Sequence, residues 1–234
     1  MDNWRPIGVL GGMGPEATVL LQQRLIQAVP AQDDSDHIPL LIDMNPKVPS
    51  RIAHLIEGTG ENPGPSLAAM AQRLEAAGAV ALAMPCNTAH HYADAIVAAV
   101  DIPLLNMVHL ALDHAEQALG RGGRVGMLAS PAVHQTALFE KGLEERGLAT
   151  IWPKDESLLL AAIRDIKRNG PTADAKDILQ RASNELSAGG AGLQFVACSE
   201  FSLLADSLPQ ENRVVDTLDL LVSSIVDFQL RSSD

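Results

Sequence analysis

Aromatic side chains are scarce, at 3% of the chain, and a protein that stacks nucleic-acid bases needs them. Positive charge is short as well. Seventeen Lys and Arg face 29 Asp and Glu, for a formal net charge of −12, which argues against a phosphate-backbone footprint. It does not argue against an acidic small substrate, because a few cations in a cleft override the global field. Cysteine is limited to Cys86 and Cys198, with no C-x-x-C pair, so thioredoxin-like and zinc-ribbon readings have no support. No apolar run approaches the roughly 18 residues of a membrane span. The N-terminal MDNWRPIGVLGG has an early Asp and no long apolar stretch, unlike a secretory leader. These absences predict a cytoplasmic protein without nucleic-acid or membrane partners, in a compartment where structural disulfides are rare.

The 234 residues are 47% hydrophobic and 20% charged, ordinary for a soluble domain and long enough for one large core or two small ones. Short, nearly continuous apolar runs predict parallel strands buried on both faces at 6–10, 38–43, 79–84, 103–105, 124–128, 149–152, 193–197 and 213–215. Helical periods fall between them at 15–28, 65–77, 89–100, 132–146, 156–167, 174–188 and 218–230. Pro15 suits a first helical turn, and Gly78 suits a helix stop. The alternation predicts an α/β fold with mostly parallel sheet. GTGENPGP (58–65) is the most loop-like stretch and a candidate mobile loop.

The two halves of the chain can be laid over one another. IGVLGG (7–12) matches VGMLAS (125–130), GAVALAMPCNT (78–88) matches GAGLQFVACSE (190–200), and IPLLNM (102–107) matches NRVVDT (212–217), at offsets of 118, 112 and 110 residues. The middle pair puts Cys86 on Cys198, so the chain's two thiols fall on equivalent positions. Two similar parallel-sheet α/β domains related by pseudo-twofold symmetry are expected. The first lobe is placed at 1–103 plus 217–234, and the second at 104–216.

Ligands of open α/β sheets bind beyond the carboxyl ends of the strands, where both cysteines are expected, followed by Asn87-Thr88 and Ser199-Glu200. Facing lobes would bring two thiols to one carbon from opposite sides, an arrangement for removing a proton on one face and returning one on the other. A thiol's ordinary pKa of about 8.5 falls beside a helix N-terminus. Other readings stand beside this one. Either cysteine is a plain core residue, the two form a disulfide, Cys86 binds metal with His90 or His91, or Cys86 and His90 form a nucleophile pair. Asn87, Thr88 and Ser199 read equally as helix caps, and Glu200 as an acid behind the site residues or, favoured on dipole grounds, as an anion in a first helical turn.

GMGPEA (12–17) has the form G-x-G-x-x-A, and Asp43 ends the following strand, which mimics a dinucleotide fingerprint. Against that, Glu16 would meet the pyrophosphate, Asp43 lies farther on than the usual spacing of about twenty residues, and LASPAV in the second half lacks the glycines. An NAD-dependent oxidoreductase and a non-catalytic two-lobed amino-acid-binding protein are the alternative functions.

Together these motifs resemble the aspartate/glutamate racemase family, most closely its aspartate racemases, along nearly the whole chain. IGVLGGMGPEAT resembles the family's first strand and glycine loop, and DMNPKVPSRIAHL (43–55) the loop after its second strand. AMPCNTAH and ACSEFSLL resemble its two catalytic motifs, the second often C-T-E in the family. The resemblance implies two α/β domains, a chain that returns to the first at its end, and a homodimer. It also implies cofactor-independent racemisation, without metal, by Cys86 and Cys198. Asn87, Thr88 and Ser199 would hold the substrate's α-carboxylate, with Gly12 and Met13 lining the site. Arg51, with its planar fork, would clamp the side-chain carboxylate, and Lys167 would be a second cation.

The sequence departs from the family where LASPAVHQTALF (128–139) stands in place of a pattern like L-A-T-x-G-T…Y. Val133 replaces a threonine and Phe139 a tyrosine, so two hydroxyls are lost and a substrate other than aspartate comes into view. A related one-cysteine branch performs decarboxylation or isomerisation, from which both thiols point away.

Overall fold

The structure, a computed structural model, describes residues 4–231. The first-lobe assignment of residues 1–3 and 232–234, and the start of the N-terminal stretch read as leaderless, lie outside the described residues. Along the chain run β1 (Ile7–Gly11), α1 (Pro15–Ala28), β2 (Leu40–Met44), α2 (Arg51–Leu55), α3 (Gly64–Ala76), β3 (Ala81–Ala83), α4 (Ala93–Val97), β4 (Leu104–Leu105) and α5 (Met107–Leu119). There follow β5 (Arg124–Ala129), α6 (Pro131–Gln135), α7 (Glu140–Glu145), β6 (Ala149–Ile151), α8 (Glu156–Asn169), α9 (Ala173–Ala188), β7 (Leu193–Ala197), α10 (Ser199–Ser202), β8 (Val214–Asp216) and α11 (Thr217–Arg231). No helix among the described residues is long and apolar enough to cross a membrane.

The chain divides into two compact units, one up to Met107 and from Leu218 on, the other Val108–Thr217. Each is built on a four-stranded parallel sheet, in the order β2-β1-β3-β4 in the first and β6-β5-β7-β8 in the second. The protein is an α/β fold with the same sheet topology in both units. Strand register reproduces the sequence repeat residue for residue. Ile7 pairs with Ala81 and Leu82 with Leu104 in the first sheet. Their counterparts under the repeat offsets, Val125 with Leu193 and Gln194 with Val214, pair in the second.

In the first unit, β1 is buried along its whole length. Pro15 opens α1, where its missing N–H costs nothing, and Ala17, Thr18, Leu21 and Leu25 form its buried stripe. Leu67, Met70, Ala71 and Leu74 of α3 join one apolar cluster with Leu10 and Leu82. Helix α11 belongs to this unit. Gln229 on α11 accepts from the Arg5 N–H at 3.2 Å and donates to the Arg5 carbonyl, and Asp219 pairs with Arg24 at 2.9 Å.

In the second unit, α8 and α9 are capped by Asp155 and Thr172. Their apolar stripes pack with Leu128, Val196 and Phe201. Gln194, fully buried mid-strand, is satisfied within the unit. It accepts from the Ser183 hydroxyl at 2.7 Å and donates to the Ser183 carbonyl at 2.8 Å, while Asn212 donates to Ser183 Oγ at 2.9 Å.

Several local expectations need correction. Helix α5 lies over residues where none is predicted, although Met107, Val108, Ala111, Leu112 and Ala115 are buried at helical spacing. The single helix predicted over 132–146 is two, because Ala137 takes φ of 49° and left-handed backbone cannot continue a right-handed helix. The helix predicted over 89–100 is a 3-10 turn, Thr88–Tyr92, followed by the short α4. The stretch read as a mobile loop is pinned at its start. Thr59 and Gly60 donate backbone N–H groups to the Ala53 carbonyl, and His54 Nδ1 lies 3.0 Å from the Gly60 carbonyl.

Candidate active site

Cys86 and Cys198 are both free thiols, each 6% exposed. Cys86 follows β3, the strand between β1 and β4, and Cys198 follows β7, the strand between β5 and β8. Each therefore leaves the carboxyl end of the same strand in its own sheet.

In the first unit, the turn that carries Cys86 is held by His90. Its Nε2 accepts the Met107 N–H at 3.1 Å, so that nitrogen carries no proton, and Nδ1 donates to the Cys86 carbonyl at 2.9 Å. His90 is thus committed to two backbone groups. That corrects its readings as a metal ligand or as a base for the Cys86 sulfur. No cluster of three His, Cys, Asp or Glu side chains among the described residues is arranged to hold a metal. Asn87 is buried and stands at the cap position of the 3-10 turn, but its side chain makes no cap bond. The cap reading of Asn87 is therefore also corrected. Thr88, half-buried, begins that turn.

The glycine loop lies at the end of the neighbouring strand β1. Gly12 takes φ of +91°, and a Cβ there would meet the Asn45 backbone at 2.5 Å. Its N–H donates to Thr18 Oγ1 at 3.0 Å. The Met13–Gly14 peptide is cis. Asp43 accepts two bonds from Arg73, at 2.6 and 3.0 Å. Gly12 answers to close packing and Asp43 to an ion pair, so neither serves the dinucleotide reading. Met13 is buried in one cluster with Val48, Cys86 and Tyr92. Arg51 opens α2 behind Ser50, whose hydroxyl accepts the Ala53 N–H at 3.2 Å. One guanidinium nitrogen of Arg51 donates to the Pro49 carbonyl at 3.0 Å and the Val48 carbonyl at 3.4 Å.

In the second unit, Cys198 is the cap residue of α10, and Ser199, 3% exposed, is its first helical residue. The Cys198 thiol donates to Glu200 Oε2 at 3.0 Å, and the other oxygen of that carboxylate lies 2.7 Å from Lys167 Nζ. Burial pushes the Cys198 thiol well above its ordinary value. The Glu200 charge and hydrogen bond push it the same way, while Lys167 pulls it down. Cys198 is accordingly a protonated thiol at neutral pH. Ser202, the counterpart of His90 in the repeat, donates to Asp216 at 2.8 Å. The cysteine turn is tied to the start of α5, just past β4, in the first unit and to the last residue of β8 in the second.

The sequence model of the Asp/Glu/hydantoin racemase family matches residues 10–225. The chain belongs to this family. Over 232 residues it is 26% identical to the broad specificity amino-acid racemase RacX of Bacillus subtilis strain 168, spanning 96% of this chain and 98% of that one. Among solved structures, Picrophilus torridus aspartate racemase superposes with a TM-score of 0.84 at 24% identity, covering 96% of this chain and 94% of that one. An aspartate racemase homologue from Pyrococcus horikoshii OT3 gives 0.74 at 22% identity, over 98% of this chain and 99% of that one. These structural likenesses are of fold. As a member of the family, the protein is an enzyme of the racemase class, an isomerase.

Three residues of this racemase carry more structure than their sequence context suggests. Glu200 stands in the first turn of α10, as read, and in addition bonds both Cys198 and Lys167, a link that depends on α8 lying beside α10 and leaves no mark in local sequence. The signal for His90 was its position four residues after Cys86, which puts both in one turn, though not for the chemistry that spacing first suggests. Tyr92 lies in the apolar cluster of Cys86 and Met13. Val133 and Phe139, read as departures near the site, are fully buried, and the Phe139 ring packs 6.3 Å from Phe195. A hydroxyl at either position would be buried.

Proposed function

We propose that the protein racemises an acidic amino acid, aspartate first among them, by moving a proton between Cys86 and Cys198 without a cofactor. The observation that carries this reading is the position of the two thiols, at the end of the same strand in two sheets of identical topology and register. Cys86 acts first as base and takes the α-proton, and the C–H electron pair passes into the enolate of the α-carboxylate. Cys198, held protonated by burial and by Glu200, returns a proton to the opposite face. The cycle leaves Cys86 as thiol and Cys198 as thiolate, and proton exchange with solvent restores the starting state. The reverse reaction uses the same groups in the opposite order.

Asn87, Thr88 and Ser199 hold the α-carboxylate in this reading, with Gly12 and Met13 alongside. Arg51 binds the side-chain carboxylate through its planar fork. Lys167, already bonded to Glu200, supplies a second positive charge for a dianionic substrate in an otherwise acidic protein. The reading includes a homodimer in the cytoplasm. Incubation of the protein with each L-amino acid in D2O, followed by NMR for α-deuterium, tests it. Aspartate is expected to exchange fastest and to appear as both enantiomers, and exchange confined to neutral amino acids would overturn the acidic specificity.

A further inference from the structure

Tyr92 is the chain's one tyrosine. It is 8% exposed, and its hydroxyl has no hydrogen-bond partner among the described residues. A buried phenol ordinarily finds a partner, and one left without pays the desolvation of its hydroxyl for nothing. Phe would fill the same space with no polar atom to satisfy. The surroundings point to what the hydroxyl is for. Its ring packs in one cluster with Met13, Val48 and Cys86, and lies 5.9 Å, ring centre to ring centre, from His54. His54 and Arg51 share the short helix α2, and His54 is fixed in place by its bond to the Gly60 carbonyl at 3.0 Å. Tyr92 therefore shares an apolar cluster with the thiol proposed as a base, and its ring neighbours the helix that carries the residue proposed as a carboxylate clamp. Burial raises the phenol's pKa, while the positive charge of Arg51 is felt at the same group and works against that rise. At neutral pH the group keeps its proton and is a donor.

We propose that the Tyr92 hydroxyl is a second donor to the substrate's side-chain carboxylate, completing with Arg51 a subsite for the distal acid group. The inference rests on the racemase reading for its substrate. A carboxylate oxygen is the partner the chemistry selects, since a cation beside a neutral donor favours an anionic acceptor, and a charge-assisted bond is the stronger kind. The subsite also gives selectivity of a definite form. A neutral amino acid would leave the buried hydroxyl unpaired, and leaving a buried polar group unpaired is what makes a site reject an analogue.

The test is calorimetric titration with succinate, which carries two carboxylates and no amino group, and with butyrate, which has one carboxylate. Wild type and Tyr92→Phe are compared. The expected result is at least tenfold weaker succinate binding by the variant and equal butyrate binding by both. With Tyr labelled at Cζ, wild type gives one carbon resonance, which should shift on addition of succinate. The ligand-free variant should melt at or above the wild-type temperature, because the oxygen removed has no partner. Unchanged succinate binding in the variant, no succinate binding by wild type, or a lower melting temperature of the variant would each overturn the subsite. The two readings fail separately. A wild type that binds succinate through Tyr92 but exchanges no α-proton sinks the racemase reading alone, while aspartate racemisation with an unchanged KM in Tyr92→Phe sinks the subsite alone.

Discussion

The Cys198 thiol donates its proton to Glu200 Oε2 at 3.0 Å, while Lys167 holds the other oxygen of the same carboxylate at 2.7 Å. A thiol that gives its hydrogen to an anion is held in its neutral form, because ionising it would put two negative charges side by side. This contact assigns Cys198 the acid role at the start of the proposed cycle.

Replacing Glu200 by Gln removes the charge and keeps the shape. The Cys198 thiol should then ionise at lower pH. In a Cys86→Ala background only one thiol remains, so the pH profile of its alkylation by iodoacetamide, followed by mass, reports Cys198 alone. Its midpoint is expected to move down in Glu200→Gln. An unmoved midpoint would mean that burial alone sets the thiol's proton affinity.

The same shift predicts a dependence of stability on pH. Below the ordinary thiol value of about 8.5, folded and unfolded chains both keep the Cys198 proton, and the stability tied to this group is present in full. Above that value the unfolded thiol ionises while the folded one does not. The folded state then binds more protons, and stability falls as pH rises toward the folded value. Cys198→Ser carries no thiol to ionise, so its melting temperature should fall less than that of wild type between about pH 8 and about pH 10. Tyr92, whose phenol burial also raises, is common to both proteins and drops out of the comparison. Parallel curves would contradict the account.

Arg51 spends one guanidinium nitrogen on the carbonyls of Val48 and Pro49, which orients the fork. A Lys ammonium can bond those carbonyls or a carboxylate but lacks the planar geometry to do both. Arg51→Lys should therefore lower kcat/KM for aspartate by tenfold or more, about 1.4 kcal/mol. Steady-state kinetics with an unchanged kcat/KM would return Arg51 to the role of a loop charge.

The fold was largely legible because parallel strands buried on both faces are apolar runs, and β7 (Leu193–Ala197) has the predicted bounds. The repeat was legible because its offsets are those of the strand pairing: Ile7 with Ala81 and Val125 with Leu193 occupy the same register. Boundaries governed by single backbone angles were not. Nothing in the composition around Ala137 announces a φ of 49°. In the site, residue types and order were readable, but partners were not. His90 lies close to Cys86 in sequence and bonds its carbonyl rather than its sulfur. Glu200 meets Lys167 across 33 positions of sequence, a contact made by the packing of helices rather than by any motif. Gly12, the first glycine of the dinucleotide-like pattern, answers to the Asn45 backbone and Thr18, since close approach of any kind asks for the same residue.

The central claim is that racemisation needs both thiols, one as base and one as facing acid. The most direct measurement is aspartate racemisation by Cys86→Ala and Cys198→Ala, read as rotation per folded molecule alongside α-deuterium uptake in D2O from each enantiomer. Both variants should lose racemisation, and any residual exchange with retained configuration should fall on opposite enantiomers in the two. If either variant folds and racemises aspartate at the wild-type rate, the two-thiol account is wrong, and the matching positions of Cys86 and Cys198 reflect the repeated fold alone.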